Sequence, residues 1–116
     1  MESAKDTDSK IAQLQMLEQN IQNFLMQKQT FQTQLIEVDG AIEELNKTKG
    51  KTYKVIGAIM VSMEKEDLIK DLDNKKEVLN LRVRSIEKQE NQLKEKASNL
   101  QSEVLKQIKD KDNENV

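Results

Sequence analysis

The chain has 116 residues, the length of one ordinary domain, yet its only aromatics are Phe24, Phe31 and Tyr53 and 34% of it is charged. Histidine and cysteine are absent, which removes an imidazole base, a thiolate nucleophile, a disulfide framework and an ordinary zinc site, so no enzyme, metal or cofactor is expected. A formal net charge of −2 argues against a nucleic acid or an anionic membrane held by charge, and no apolar run approaches the ~20 residues of a membrane span.

Residues 1–9 are polar and have nothing to bury, so they are predicted to be a disordered tail. They carry no signal-like apolar segment, and a cytoplasmic protein is expected. From about Lys10 to Lys47 an apolar stripe recurs at alternate spacings of three and four: Leu14, Leu17, Ile21, Phe24, Phe31, Leu35, Val38, Ile42 and Leu45, interrupted by Lys28. Proline is absent, so nothing breaks the pattern, and the spacing predicts a helix roughly 57 Å long. Gly40 falls on its outer face, at a cost of about 1 kcal/mol relative to alanine. Asn46 to Gly50 should end the helix, with Gly50 in the left-handed conformation that suits a C-terminus.

The run from Tyr53 to Val61 is rich in β-branched residues and holds a glycine at its centre. Gly57-Ala58 can supply a tight turn, giving a hairpin at about 52–62. Its residues are apolar on both faces, and both edges are unpaired; so short a hairpin is marginal alone and must find other strands. A second helix is predicted to begin near Ser62–Glu64, with Glu64, Glu66 and Asp67 in its first turn, and to run to about Lys109. Its stripe is Ile69, Leu72, Leu79, Val83, Ile86, Leu93, Ala97, Leu100 and Val104, interrupted by Lys76 and Glu90. Residues 110–116 should form a second disordered tail. Two helices joined by so short a connection run antiparallel. The fold class is therefore mainly α: a two-helix coiled coil over 10–109 with a single β-hairpin at its closed end. In the register that sets Leu45 against Ile69, Leu14 lies near Leu100.

Gly50-Lys51-Thr52 matches the end of a phosphate-binding loop, but that loop needs a glycine where this chain has Leu45, a strand before it and a helix after it. Asn46-Lys47-Thr48 fits a glycosylation triplet without a secretory context. Glu90 at a seam position reads as part of a polar layer with Lys28 that fixes register, since no second group exists to share catalysis. Apolar residues off the seam are more informative, because a two-helix coil cannot bury them by itself. Near the hairpin these are Leu68, Val78 and Leu81, suited to subunit contacts. Near the open end they are Ile11, Met16, Leu25, Met26, Leu105 and Ile108, suited to a binding surface, where methionine adapts to partners of varied shape.

The helix–hairpin–helix order and the string Tyr53-Lys54-Val55-Ile56-Gly57, followed by Val61, resemble the β-class subunit of prefoldin. Leu79-Asn80-Leu81-Arg82-Val83, then Glu87-Lys88-Gln89-Glu90, and Gln27-Lys28-Gln29 are similar to the same class. The resemblance covers about residues 10–108; the tails and Gly40 depart from it. It implies an ATP-independent chaperone. Two α-class and four β-class subunits would join their hairpins into an oligomeric β-barrel, and six coiled coils would hold unfolded polypeptides at their tips for delivery to a group II chaperonin. One hairpin matches the β class, since the α class carries two.

On this reading the assembly hairpin is Tyr53, Val55, Ile56, Gly57, Ile59 and Val61. The client-binding tips are Ile11, Leu14, Met16, Leu17, Leu100, Val104, Leu105 and Ile108. The partners are an α-class prefoldin subunit and further β-class subunits in an α2β4 hexamer, non-native polypeptides and a group II chaperonin. The rival is a structural or adaptor coiled coil with one fixed partner. An adaptor needs only a turn at the bend, whereas this chain places a doubly apolar strand pair there.

Overall fold

The computed structural model describes residues 2–114. Helix α1 (Glu2–Lys47) leads into strands β1 (Thr52–Ile56) and β2 (Ile59–Met63), and helix α2 (Lys65–Glu114) follows. The strands form one antiparallel two-stranded sheet in which Thr52 faces Met63 and Ile56 faces Ile59. Gly57 takes the first central position of the two-residue turn with φ +60°, and no non-glycine residue described has a positive φ. Positive φ at the first position alone is the II′ pattern, whose twist matches that of the strands.

α1 ends at Lys47, as its stripe predicts, but not through Gly50, whose φ is not positive. The Thr48 amide donates to the Leu45 carbonyl (3.2 Å) and its hydroxyl to the Glu44 carbonyl (2.7 Å). Lys65 Nζ donates to the carbonyls of Asn46 (3.3 Å) and Thr48 (3.2 Å). With the Glu44, Leu45 and Asn46 carbonyls satisfied by Thr48 and Lys65, the helix closes without a left-handed glycine. α2 starts later than expected, because β2 continues through Met63, whose carbonyl accepts from the buried Thr52 hydroxyl at 2.6 Å. That bond also commits the one hydroxyl of the Gly50-Lys51-Thr52 tripeptide. The first bond of the new helix runs from the Leu68 amide to the Glu64 carbonyl at 3.0 Å.

Of the expected tails at 1–9 and 110–116, residues 2–9 lie in α1 and 110–114 in α2, while Met1, Asn115 and Val116 lie outside the described residues. No proline or glycine stops the chain at either place. Asp6 and Lys10 pair one turn apart at 3.3 Å, and Asp6, Thr7 and Lys10 bond across to Gln107 and Glu103 of α2. Composition predicts disorder there because it counts nothing to bury, and it does not register the bonds of Thr7 and Lys10 to Gln107 and Glu103.

The chain divides into two units, residues 28–85 and residues 1–27 with 86–116. In the hairpin unit the core is Val38, Leu68, Leu79 and Val83, with Leu79 the most buried at 2% exposure. The Arg82 guanidinium stands 5.7 Å from the centre of the half-buried Phe31 ring, within the range of a cation–π contact. Lys76 holds a seam position yet turns its ammonium outward to Asp39 at 2.7 Å, burying its stem and leaving the charge in water. In the terminal unit Ile86 and Val104 are buried, and so is Glu90 at 3% exposure, accepting from Lys94 one turn on at 3.1 Å.

Candidate functional site

The hairpin is exposed on both faces. Tyr53, Val55, Ile56, Ile59, Met60 and Val61 all keep between 43% and 66% of their surface in water. Strand alternation explains why one face cannot hide them all. Val55 and its partner Met60 point one way, while Ile56, Ile59 and Val61 point the other. Thr52 and Met63 close the base of the ladder, Thr52 buried and Met63 half-buried. Lys54 reaches Asp71 of α2 at 3.1 Å and ties β1 to the helix. The sheet has two strands, so each strand's outer edge carries unpaired amides and carbonyls. Such an element can take up another strand on either edge and apolar surface on either face.

β1 also covers one flank of the helix pair. A cleft of about 400 Å³ there is lined by Leu45, Leu68, Leu72, Tyr53 and Val55, with Glu44 and Asp71 at its rim. Leu68, expected to lie off the seam, is buried and lines this cleft, while Val78 and Leu81 are exposed as expected. Ile36 is the large apolar residue that sequence reasoning passed over, and at 73% exposure it is the most open of those described. It sits one step beyond the seam residue Leu35, so a search for apolar residues at outer helical positions would have found it.

At the helical end that carries the termini, the predicted residues separate. Leu14, Leu17 and Leu100 are half-buried in the seam and Val104 is buried there. Met16 is 67% exposed and joins Leu17, Leu100 and Lys96 around a cleft of about 420 Å³. Leu105 and Ile108 are exposed and three residues apart on one face of α2, while Ile11 is half-buried. Ile11 and Ile108 each follow a seam position, so they belong to the flank away from the Met16 cleft. The structure thus brings Met16, Leu17 and Leu100 together and leaves Leu105 and Ile108 apart from them.

Beyond Leu14 and Val104 the seam is polar, which the sequence reading missed. The Thr7 hydroxyl donates to Gln107 Oε1 at 2.7 Å, and Gln107 Nε2 donates to Asp6 Oδ2 at 2.9 Å. Lys10 Nζ bridges Asp6 Oδ2 at 3.3 Å and Glu103 Oε2 at 3.2 Å. Continuing the three-and-four spacing back from Leu14 reaches Lys10 and Thr7, and forward from Val104 reaches Gln107. The Gln107 and Lys10 hydrogen bonds hold the Asp6 carboxyl below its usual range, and the bond to Glu103 raises Lys10 above its own. Among the described residues no group of three or more Asp or Glu side chains is placed to hold a metal ion, and no helix is long and apolar enough to cross a membrane.

Two long helices paired through a heptad seam and joined by an exposed two-stranded hairpin define the fold class, and comparisons with known proteins supply the family. Residues 8–111 match the prefoldin subunit family. The chain is 40% identical over 93 residues to the prefoldin subunit beta of Caldivirga maquilingensis, covering 78% of this chain and 77% of that protein. It is 36% identical over 96 residues to that of Archaeoglobus fulgidus, covering 81% and 83%. The crystal structure of the prefoldin beta subunit from Thermococcus strain KS-1 superimposes with a TM-score of 0.82 at 29% identity, over 85% of this chain and 89% of that one. The chain belongs to the prefoldin family of chaperone subunits.

Proposed function

We propose that this chain is a β-class holdase subunit. It assembles through its hairpin with α-class and further β-class subunits, as an α2β4 hexamer whose hairpins form a β-barrel. It binds non-native polypeptide at the coiled-coil end that carries its termini and passes it, without ATP, to a group II chaperonin in the cytoplasm. The observation that carries this reading is the hairpin: six large apolar side chains left in water on a two-stranded sheet with open edges. A lone chain gains little from such an element, since a short isolated hairpin is marginal, whereas an assembly would bury it.

For clients, the support is the division of apolar surface between the Met16 cleft and the exposed Leu105 and Ile108. Each side chain contributes at most about 1.5–3 kcal/mol on burial, less the cost of ordering, so capture needs several side chains and several subunits together.

The test mixes the purified chain with an α-class subunit and measures mass by light scattering. The assembly is then added to a chemically unfolded protein diluted from denaturant. One discrete species of six chains that suppresses aggregation without ATP is the expected result. Failure to form any mixed species, or a species that leaves aggregation unchanged, overturns the reading.

A further inference from the structure

The terminal turns of this coiled coil are closed by polar groups at the positions where an apolar seam would continue. Thr7, Lys10 and Gln107 occupy those positions, and Asp6 and Glu103 flank them. Apolar side chains are close by in the sequence, yet Ile11 and Ile108 stand one residue off the seam, Ile108 well exposed. The end of the pair is therefore held by hydrogen bonds and ion pairs in contact with water, directly beyond the Leu14, Leu100 and Val104 layers. Exposed pairs of this kind are individually weak, and they are made and broken locally. Apolar residues at the same positions would have sealed the end more firmly.

We propose that this cluster is a latch: while Thr7 and Lys10 hold Gln107 and Glu103, the seam behind them stays shut, and release of the latch opens Leu14, Leu17, Leu100 and Val104 to a non-native polypeptide. The proposal rests on the client-binding reading above. It adds that access to the seam is set by five polar side chains that themselves make no apolar contact with the client. Lys10 is the centre of the device, since its ammonium serves one carboxylate on each helix; Gln107 is the second joint, accepting from Thr7 and donating to Asp6.

The chain has no cysteine, so Thr7→Cys with Gln107→Cys can be bridged specifically by a short bis-methanethiosulfonate reagent and freed again by a thiol reductant. The full chain, assembled with an α-class subunit, is assayed for suppression of aggregation in the bridged and the reduced state. Lys10→Glu, which sets three carboxylates against one another, is assayed beside it, and amide hydrogen exchange is read over residues 5–17 and 100–112.

The bridged form is expected to suppress aggregation several-fold less well than the same protein after reduction. Lys10→Glu is expected to suppress it better than the parent and to exchange roughly fivefold faster or more over both segments, since two ion pairs and the order around them are lost. Equal suppression by the bridged and reduced forms, with the parent active, overturns the latch and leaves the client-binding reading standing. Unchanged exchange in Lys10→Glu also overturns the latch. An inactive parent removes the client-binding reading and the latch with it.

Discussion

Gly40 lies within α1, and nothing stands within 4 Å of the place a Cβ would occupy. Interior glycine costs a helix about 1 kcal/mol relative to alanine, so Gly40→Ala is expected to raise the melting temperature by a few degrees, read by circular dichroism. A lower melting temperature would mean that this position needs the smaller residue. The charged residues give a second expectation. Asp6 is held below its ordinary value near 3.8 by Gln107 and Lys10. Its stabilisation is therefore present above that value and lost as pH falls through the lower, folded one. Lys10 and Lys76 are raised above their ordinary value near 10.5, chiefly by hydrogen bonds to Glu103 and to Asp39. Their contribution is complete below that value and lost as pH rises beyond it. The contribution of these pairs should be level between the two limits and decline outside them. Asp6→Asn should lower the melting temperature at neutral pH yet lose less than the parent on acidification; an unchanged acid limb would exclude Asp6 from the pair. At this scale the seam charges Lys76 and Glu90 were legible, because they interrupt a regular stripe. The burial of Leu68 was not, since that residue lies off the apolar stripe.

Among the elements, the hairpin was the most legible, because a β-branched run with a central glycine allows few alternatives, and Gly57 supplies the turn. Helix ends were less so. Gly50 looked like the stop for α1, but Thr48 and Lys65 satisfy the carbonyls, and the reach of a lysine from the next helix is not written in local sequence. The polar end of the seam was missed for a related reason: a stripe traced through apolar residues stops where the polar ones begin. If the hairpin joins subunits, charge placed on it should act on assembly and not on folding. Ile59 and Val61 lie on one face and are exposed in the single chain, so aspartate at both positions meets water there. In a shared sheet the same carboxylates would be buried without partners, at several kcal/mol each. Ile59→Asp with Val61→Asp is expected to keep the parent's helix content and melting curve and to lose assembly with an α-class subunit, seen as the disappearance of the large species in light scattering. Normal assembly by that variant would place the joint elsewhere.

For the whole molecule, the two tasks proposed above fall in different units. The hairpin and its supporting core of Val38, Leu68, Leu79 and Val83 lie entirely within residues 28–85. Every residue assigned to client binding lies in the other unit. A chain reduced to residues 18–99 loses that set completely, along with the latch. It keeps the seam from Ile21 to Leu45 and from Ile69 to Ala97, including the buried Ile86 and Glu90. Shortening the coil costs some stability, because fewer apolar layers remain to offset the ordering of the helices. The shortened chain should therefore melt lower than the parent while still assembling with an α-class subunit into a species of correspondingly smaller mass. Compared at equal concentration and at a temperature where both assemblies are folded, it is expected to leave a chemically unfolded test protein to aggregate as fast as in buffer. Full suppression by the shortened assembly would move the client surface into the unit that carries the hairpin. The exposed Ile36, Val78 and Leu81 would then be the side chains to substitute next.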